Sequence, residues 1–202
     1  GEIFYDTIQD PVATFFNEFT FYKIMMKKLL PVILLSWHLS ATGQGKNEEL
    51  IPWKENQKLT WADYKGKVQT GSDAAASTAT YLGIEYNFNK HGFDYKITCS
   101  FSKTKSWGLH KTDYILGHEQ GHFDIAEIFA RKLNKQMSEY VFDKNTFKDD
   151  LKNIYMKLTA EKDDFQNQYD KETNHSINKE KQVEWLKKIQ EELKTLNNFT
   201  NY

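Results

Sequence analysis

The chain has 202 residues, of which 27% are charged, and its formal net charge is −1. This balance gives no electrostatic argument for binding nucleic acid or an anionic membrane. The chain has one cysteine, Cys99, which excludes an intramolecular disulfide and a zinc site built mainly from thiolates. Any metal ligands must therefore come from histidine, aspartate or glutamate side chains.

The N-terminal part of the chain has the order of a secretory signal. A basic start at residues 26–28 is followed by a mostly apolar run over 29–35 and by small residues at 40–43. The run is shorter than the roughly 18 residues of a membrane span. It also contains Pro31. We therefore favour a cleaved signal over a transmembrane anchor.

This pattern divides the chain into three predicted parts. Residues 1–25 precede a suitable start methionine, so we predict a non-native or over-extended segment there. Residues 26–43 are the predicted signal peptide, with cleavage after Gly43. Residues 44–202 have the length of one domain. We therefore expect a secreted or periplasmic protein with no stable membrane anchor once the signal has been removed.

Alternating apolar and polar residues predict an antiparallel hairpin in the first half of this domain. Residues 84–89 and 93–101 alternate in this way, with turn-forming residues between them. Cys99 falls on the apolar face and is expected to be a small core residue. Residues 60–64 fit a further short strand or turn, and residues 71–77 fit a loop.

From Thr112 onward the apolar residues recur at a helical period and predict three helices. The first begins at Thr112 or Asp113, the second is capped by Asn145 or Thr146, and the third begins near Lys179. Apolar residues predict the inward stripe of the third helix: Val183, Leu186, Ile189 or Gln190, and Leu193. Strands followed by helices indicate an α+β domain.

The first predicted helix carries an H-E-x-x-H motif, His118-Glu119-Gln120-Gly121-His122. Histidines four residues apart project from one face of a helix and can hold one metal ion, while Glu119 can reach its bound water. The short motif is a weak pattern, but here both histidines fall on the apolar stripe. Burying two imidazoles and a carboxylate together is costly unless something pairs them, and a metal is the simplest partner. Gly117 and Gly121 indicate close packing of a neighbour, room beside the metal, or both.

A zinc site needs a third protein ligand. The third histidine of the metzincin pattern is absent, because Ile128 holds its position. Asp124 and Glu127 point away from the two histidines on a helix, so we expect them to support a ligand or to lie at the surface. The remaining candidates come from the second helix and its end: Glu161, Asp164 and the segment 169–175.

Four stretches resemble a largely uncharacterised family of bacterial proteins that are described as predicted secreted zinc-dependent proteases. These stretches are 59–66, 118–127, 169–175 and 182–185. The resemblance covers nearly the whole domain, and it implies zinc, secretion and peptide-bond hydrolysis. The family-like segment makes His175 our choice for the third ligand. Asp170 is the alternative, either as a ligand or as a carboxylate that orients one.

These observations predict a zincin-like metallohydrolase, with antiparallel strands before an active-site helix and two further helices. Glu119 would act as the general base on a peptide or protein substrate, with Tyr169 or His110 as the oxyanion donor. The substrate would align along an exposed edge at Thr98–Phe101. Two alternatives stay open: a zinc amidase acting on cell-wall peptides, and a catalytically inactive envelope binding module.

Overall fold

The computed structural model describes residues 3–7, 48–89 and 92–202. The predicted signal peptide, its cleavage site and the two residues at the tip of the predicted hairpin lie outside the described residues. Ile3–Thr7, in the segment predicted to be non-native, form a β-strand. Within the described residues, no helix is long and apolar enough to cross a membrane.

The predicted hairpin is confirmed, and it forms the centre of an antiparallel sheet. The strands of this sheet are β1 (Ile3–Thr7), β2 (Leu50–Pro52), β4 (Thr80–Asn89) and β5 (Gly92–Ser102). In the described part of the chain their order is β1-β4-β5-β2. Leu82 of β4 lies opposite Cys99 of β5, and both side chains are buried. Cys99 is therefore a core residue, as its place on the apolar face predicts.

The expectation of an exposed edge at Thr98–Phe101 is wrong. This segment pairs with β4 along one side, and β2 pairs with Ser100–Ser102 along the other. In addition, the backbone N–H of Trp53 donates to the carbonyl oxygen of Cys99 at 2.9 Å. The backbone groups of the segment are used inside the sheet and are not available to a substrate.

A second, smaller sheet lies before the helices. Its strands are β3 (Ala76–Ser77), which ends the predicted loop, and β6 (Trp107–Gly108). The predicted strand or turn at residues 60–64 contains a short 3-10 helix, Trp61–Asp63. The Asp63 carboxylate closes this turn by accepting hydrogen bonds from the backbone N–H of Thr60 at 2.9 Å and from its hydroxyl at 2.8 Å.

Three helices follow the strands, so the predicted α+β class is confirmed. They are α1 (Asp113–Glu139), α2 (Phe147–Thr173) and α3 (Lys179–Thr195). Thr112 caps α1, as predicted, because its hydroxyl accepts from the backbone N–H of Ile115. Asn178 caps α3 in the same way through Lys181. A 3-10 turn, Asn197–Phe199, follows α3.

Helix α1 is the centre of the core. It packs against β4 and β5 on one side and against α2 and α3 on the others. Its apolar residues Ile125, Phe129 and Leu133 are almost completely buried. A helix that is covered on several sides must also bury polar residues, and in α1 these include His118, Glu119 and Gln120 of the H-E-x-x-H motif.

One residue of α3 faces the opposite way from the prediction. Val183 was expected to face inward, but 68% of it is exposed, whereas Gln182 is 1% exposed. Gln182 takes the buried position because both ends of its amide have polar partners inside the protein. Apolar periodicity alone misses such a residue, because it treats a glutamine as part of the solvated face.

Candidate metal centre

Helices α1 and α2 bring together three side chains that can bind a metal, here called the histidine cluster: His118, His122 and Asp170. Asp170 Oδ1 lies 3.0 Å from the Nε2 atom of each histidine. The two Nε2 atoms lie 3.2 Å from each other. Three potential ligand atoms therefore form a nearly equilateral triangle.

The size of this triangle fits a small divalent cation. Bonds of about 2.0–2.1 Å give ligand separations of roughly 2.9 Å at right angles and roughly 3.3 Å in a tetrahedron. The separations in the histidine cluster, 3.0 to 3.2 Å, fall between these limits. The His118 side chain is 5% exposed, but that of His122 is 14% and that of Asp170 is 21%. The cluster is therefore open to solvent on the side of His122 and Asp170, where water or a substrate can approach.

The orientation of the His118 ring is set by α3. Its Nδ1 atom lies 2.7 Å from Oε1 of Gln182. The Gln182 amide is itself oriented, because its Nε2 donates to the Tyr169 hydroxyl at 2.6 Å, and that hydroxyl donates to the carbonyl oxygen of His118. Oε1 can only accept, so Nδ1 carries the proton and Nε2 keeps its lone pair for the cluster.

His122 is held in the same manner by α2. Its Nδ1 atom hydrogen-bonds to Oε1 of Gln166. The Gln166 Nε2 donates back to the carbonyl oxygen of His122 at 3.0 Å, which fixes the orientation of the amide. Both histidines are thus presented as Nε2 acceptors. Supporting contacts of this kind, made by the nitrogen that does not bind the ion, are usual for metal-binding histidines.

Tyr169 packs directly behind the two rings. It stacks on His118 with ring centroids 4.5 Å apart and meets His122 edge-on at 5.0 Å. Gly121 makes this approach possible, because a Cβ atom there would lie 2.5 Å from the Tyr169 hydroxyl oxygen. A Cβ at Gly117 would meet nothing within 4 Å. Close packing therefore explains Gly121, and open space lies beside Gly117.

Glu119 lies on the same turn of α1 and is 4% exposed. Its Oε2 accepts a hydrogen bond from the Thr78 hydroxyl at 2.6 Å. Burial raises the pKa of Glu119, although His122, His118 and the Thr78 hydroxyl oppose the rise. A raised pKa brings a carboxylate closer to the range in which it can both accept and release a proton.

The histidine cluster favours a positive charge. Burial by itself would lower the pKa of His122, but Asp170 and Glu119 outweigh burial and raise that pKa to about 10. Burial would raise the pKa of Asp170, yet His122 and His118 hold it below its ordinary value. Without a metal, a proton on His122 supplies the positive charge that a cation would otherwise supply.

His175, our first choice for the third ligand, is not among the converging atoms. Its Nδ1 lies 3.9 Å from Asp170 Oδ1, and 72% of its side chain is exposed. Asn174, His175 and Ser176 all have left-handed backbone angles, with φ of 48°, 51° and 71°. This turn carries the chain away from the end of α2, so Asp170, the alternative, takes the position inside the cluster. The acidic candidates Glu161 and Asp164 are exposed elsewhere on α2.

Asp124 and Glu127, expected to support a ligand or to lie at the surface, do neither. Both are 2% exposed. Asp124 accepts hydrogen bonds from Trp53 Nε1 and Gln120 Nε2, and Glu127 accepts from Arg131 Nε. They point away from the two histidines, as the helical period predicts, but the region they point into is protein and not solvent.

The two predicted oxyanion donors lie in different environments. Tyr169 is completely buried, and its hydroxyl is already engaged with Gln182 and His118. It supports His118 from behind and does not face the open side. His110 is exposed on the loop before α1, where its backbone N–H donates to the carbonyl oxygen of Ala75.

Sequence reasoning missed the polar residues that support the site: Tyr64, Thr78, Gln166 and Gln182. For Gln166 a signal existed, because it lies four residues before Asp170 on the face of α2 that also carries Tyr169. For Gln182 the signal was its place in the family-like stretch 182–185, because apolar periodicity put Val183 on the inward face instead. Thr78 lies in a connection between strands, and its contact with Glu119 spans 41 residues of sequence.

Comparison with known proteins agrees with the bacterial resemblance but assigns no activity. Residues 38–176 match the family described as "Bacterial protein of unknown function (DUF922)". No match is found among curated proteins or among solved structures. The match spans more than half of the chain and includes the whole histidine cluster. The chain therefore belongs to this bacterial family of unknown function.

Proposed function

We propose that this protein is a secreted zinc-dependent peptidase with a zincin-like active site. The observation that carries the proposal is the convergence of three ligand atoms at 3.0 to 3.2 Å beside a buried glutamate. In this proposal His118, His122 and Asp170 hold Zn²⁺, and Asp170 replaces His175 as third ligand. Two histidines and one carboxylate, with a position left for water, are a usual donor set of catalytic zinc.

In the proposed mechanism the metal, Glu119 and the two glutamines have different roles. When bound, zinc polarises a carbonyl group and lowers the pKa of its water to about 7. Glu119 accepts one proton from the attacking water through Oε1 as the bond between the water oxygen and the carbonyl carbon forms. It then delivers that proton to the leaving nitrogen as the C–N bond breaks. Gln166 and Gln182 keep both imidazoles in the tautomer that faces the ion.

Export is part of the proposal and is supported by the signal-like pattern at residues 26–43. We infer a periplasmic or extracellular enzyme that acts on a peptide or protein. The open side of the histidine cluster, where the side chains of His122 and Asp170 are 14% and 21% exposed, supports access by a substrate.

Elemental analysis of the purified full-length protein tests the metal. We expect about one zinc per chain, and treatment with a chelator should remove both the zinc and the activity. Iron in its place would contradict the zinc assignment. A protein without any stoichiometric metal would leave only the alternative of an envelope binding module.

The catalytic role is tested with Glu119→Gln, assayed on unfolded protein and on peptidoglycan fragments. This variant should keep zinc but lose turnover by about 100-fold or more, because general-base catalysis contributes at least that factor. Glu139→Gln, an exposed change at the end of the same helix, should keep wild-type turnover. Cleavage of peptidoglycan fragments alone would favour the amidase. Unchanged turnover in Glu119→Gln would remove Glu119 from the mechanism.

A further inference from the structure

A chain of hydroxyl groups ends on Glu119. The Thr78 hydroxyl oxygen lies 2.6 Å from Glu119 Oε2 and 2.8 Å from the hydroxyl oxygen of Tyr64. Glu119 and Tyr64 are buried, at 4% and 5% exposed, and Thr78 is half-buried. The three residues come from α1, from the connection after β3 and from the end of the first 3-10 helix, so the fold brings them together from three separate segments.

The direction of these hydrogen bonds follows from the chemistry of the groups. An ionised carboxylate can only accept, so the Thr78 hydroxyl uses its one proton to donate to Glu119. The Thr78 oxygen then accepts from Tyr64, which must be the donor at the outer end. Burial, together with the negative charge of Glu119, raises the pKa of the Tyr64 hydroxyl well above its ordinary value. Tyr64 therefore keeps the proton that it donates.

The outer end of the chain is anchored in the core. The ring of Tyr64 packs against Trp61 at 4.9 Å and against Phe101 of β5 at 5.0 Å. Thr78 follows β3, which is paired with β6 in the smaller sheet. A hydroxyl held between two fixed elements offers the carboxylate one preferred position, whereas an unattached glutamate side chain can rotate about three bonds.

We propose that Thr78, held in place by Tyr64, is a positioning residue that orients the Glu119 carboxylate for its role as general base. The proposal rests on the function proposed above. With Oε2 engaged by Thr78, Oε1 is the oxygen that is left to meet the attacking water. A charge-assisted hydrogen bond is among the stronger contacts available for this purpose, and a misplacement of about 1 Å can cost roughly 100-fold in rate.

Three substitutions separate positioning from packing. Thr78→Val keeps the shape but removes the donor, so kcat should fall by about 10- to 100-fold, while KM and zinc stoichiometry remain near wild type. Thr78→Ser keeps the donor and should restore most of kcat. Tyr64→Phe leaves the Thr78 donor in place and should lower kcat less than Thr78→Val does. Thr195→Val is the matched control, because the Thr195 hydroxyl donates to the backbone carbonyl oxygen of Glu191 on α3.

Rates are measured on the full-length protein with a quenched fluorogenic peptide that the wild type cleaves. A kcat of Thr78→Val equal to wild type would overturn the proposal, as would equal losses in Thr78→Ser and Thr78→Val. Loss of zinc from Thr78→Val would also overturn it, since the hydrogen bonds of the Thr78 hydroxyl go to Glu119 and Tyr64.

A second readout does not depend on turnover. Crystal structures of the wild type and of Thr78→Val should show the Glu119 carboxylate in one position in the former and displaced or divided between positions in the latter. An unmoved Glu119 would refute the positioning role even if the wild type proves inactive. Wild-type protein that lacks zinc or turnover would instead refute the proposed function, so the two failures can be told apart.

Discussion

Helix α1 carries residues of two charged clusters, and the clusters differ in how their charges are paired. The histidine cluster presents three acceptor atoms to one another at 3.0 to 3.2 Å. The second, here called the arginine cluster, consists of Glu127, Arg131 and Tyr202. In it, Arg131 Nε donates to Glu127 Oε1 at 2.9 Å, and the Tyr202 hydroxyl donates to Glu127 Oε2.

Burial distinguishes the two clusters only in part. Glu127 and Arg131 are each 2% exposed and His118 is 4% exposed, whereas the side chains of His122 and Asp170 are 14% and 21% exposed. The main difference lies in charge compensation, because each acceptor of the arginine cluster faces a donor. Arg131 also donates to the carbonyl oxygen of Leu193 at 2.6 Å and lies over the ring of Trp53. The acceptors of the histidine cluster converge without a permanent donor, which indicates a binding site. The matched donors and acceptors of the arginine cluster indicate a structural role.

The largest expected effect is the loss of the metal from Asp170→Ala. This substitution removes one of the three converging atoms, so zinc affinity should fall by more than the roughly 10- to 100-fold that loss of a supporting partner costs. His175→Ala is the matched variant and should retain zinc, because His175 is exposed at the edge of the site. Competition with a chromogenic chelator measures both. Zinc lost from His175→Ala but kept by Asp170→Ala would return the third-ligand role to His175.

In the arginine cluster, Arg131→Met should destabilise the fold by about 3–5 kcal/mol, because it leaves the buried Glu127 carboxylate uncompensated. Urea unfolding of the zinc-free protein measures this loss. Zinc stoichiometry of the folded variant should stay at the wild-type value. A variant with wild-type stability but without zinc would show that the two clusters depend on each other.

The hydrogen bond by which Gln182 of α3 orients His118 can be tested by substitution. Gln182→Leu removes the acceptor that fixes His118, so zinc affinity should fall by about 10- to 100-fold. Gln190→Leu is the matched change on the same helix, because Gln190 donates to Asp124 and has no contact with the histidines. Isothermal titration of both variants gives the comparison. Equal zinc affinities for the two would mean that the amide does not hold the ring in its metal-binding tautomer.

The two glycines of α1 predict opposite changes in stability. A Cβ at Gly121 would press on the Tyr169 hydroxyl, so Gly121→Ala should cost about 1–3 kcal/mol. Gly117→Ala meets no atom within 4 Å. It should stabilise the protein by up to about 1 kcal/mol, through the better helix propensity of alanine. Thermal unfolding of the zinc-free proteins separates the two, and a destabilised Gly117→Ala would be inconsistent with open space there.

A pH dependence is expected of the metal-free histidine cluster. The folded pKa of His122 is raised from 6.5 to about 10. Its contribution to stability is therefore complete below pH 6.5 and is lost as the pH rises through about 10. Chelator-treated wild type should lose more stability over this range than His122→Asn does, as measured by thermal unfolding. Parallel curves would refute the charge pairing with Asp170.

The local features of the fold follow from residue periodicity, and long-range contacts explain what periodicity misses. Alternation locates the β4–β5 hairpin, and a helical repeat places His118 and His122 on one face of α1. Whether Asp170 or His175 lies among the converging ligand atoms depends instead on the left-handed turn after α2, and no periodic pattern predicts such a turn. The same limit explains the error in α3, where periodicity predicts Val183 on the buried face and the structure buries Gln182 instead. The hydrogen bond between Gln182 and His118 outweighs side-chain hydropathy at that position.

The glutamines behind the two histidines have a consequence for reactivity. Carboxylates in these positions would raise the electron density of the imidazoles and make them stronger ligands. Gln166 and Gln182 are neutral, so Asp170 alone contributes negative charge among the groups that touch His118 and His122 at their nitrogens. A dication with these ligands would retain an overall charge of about +1. We therefore expect a centre that is strongly electrophilic and exchanges its metal comparatively easily.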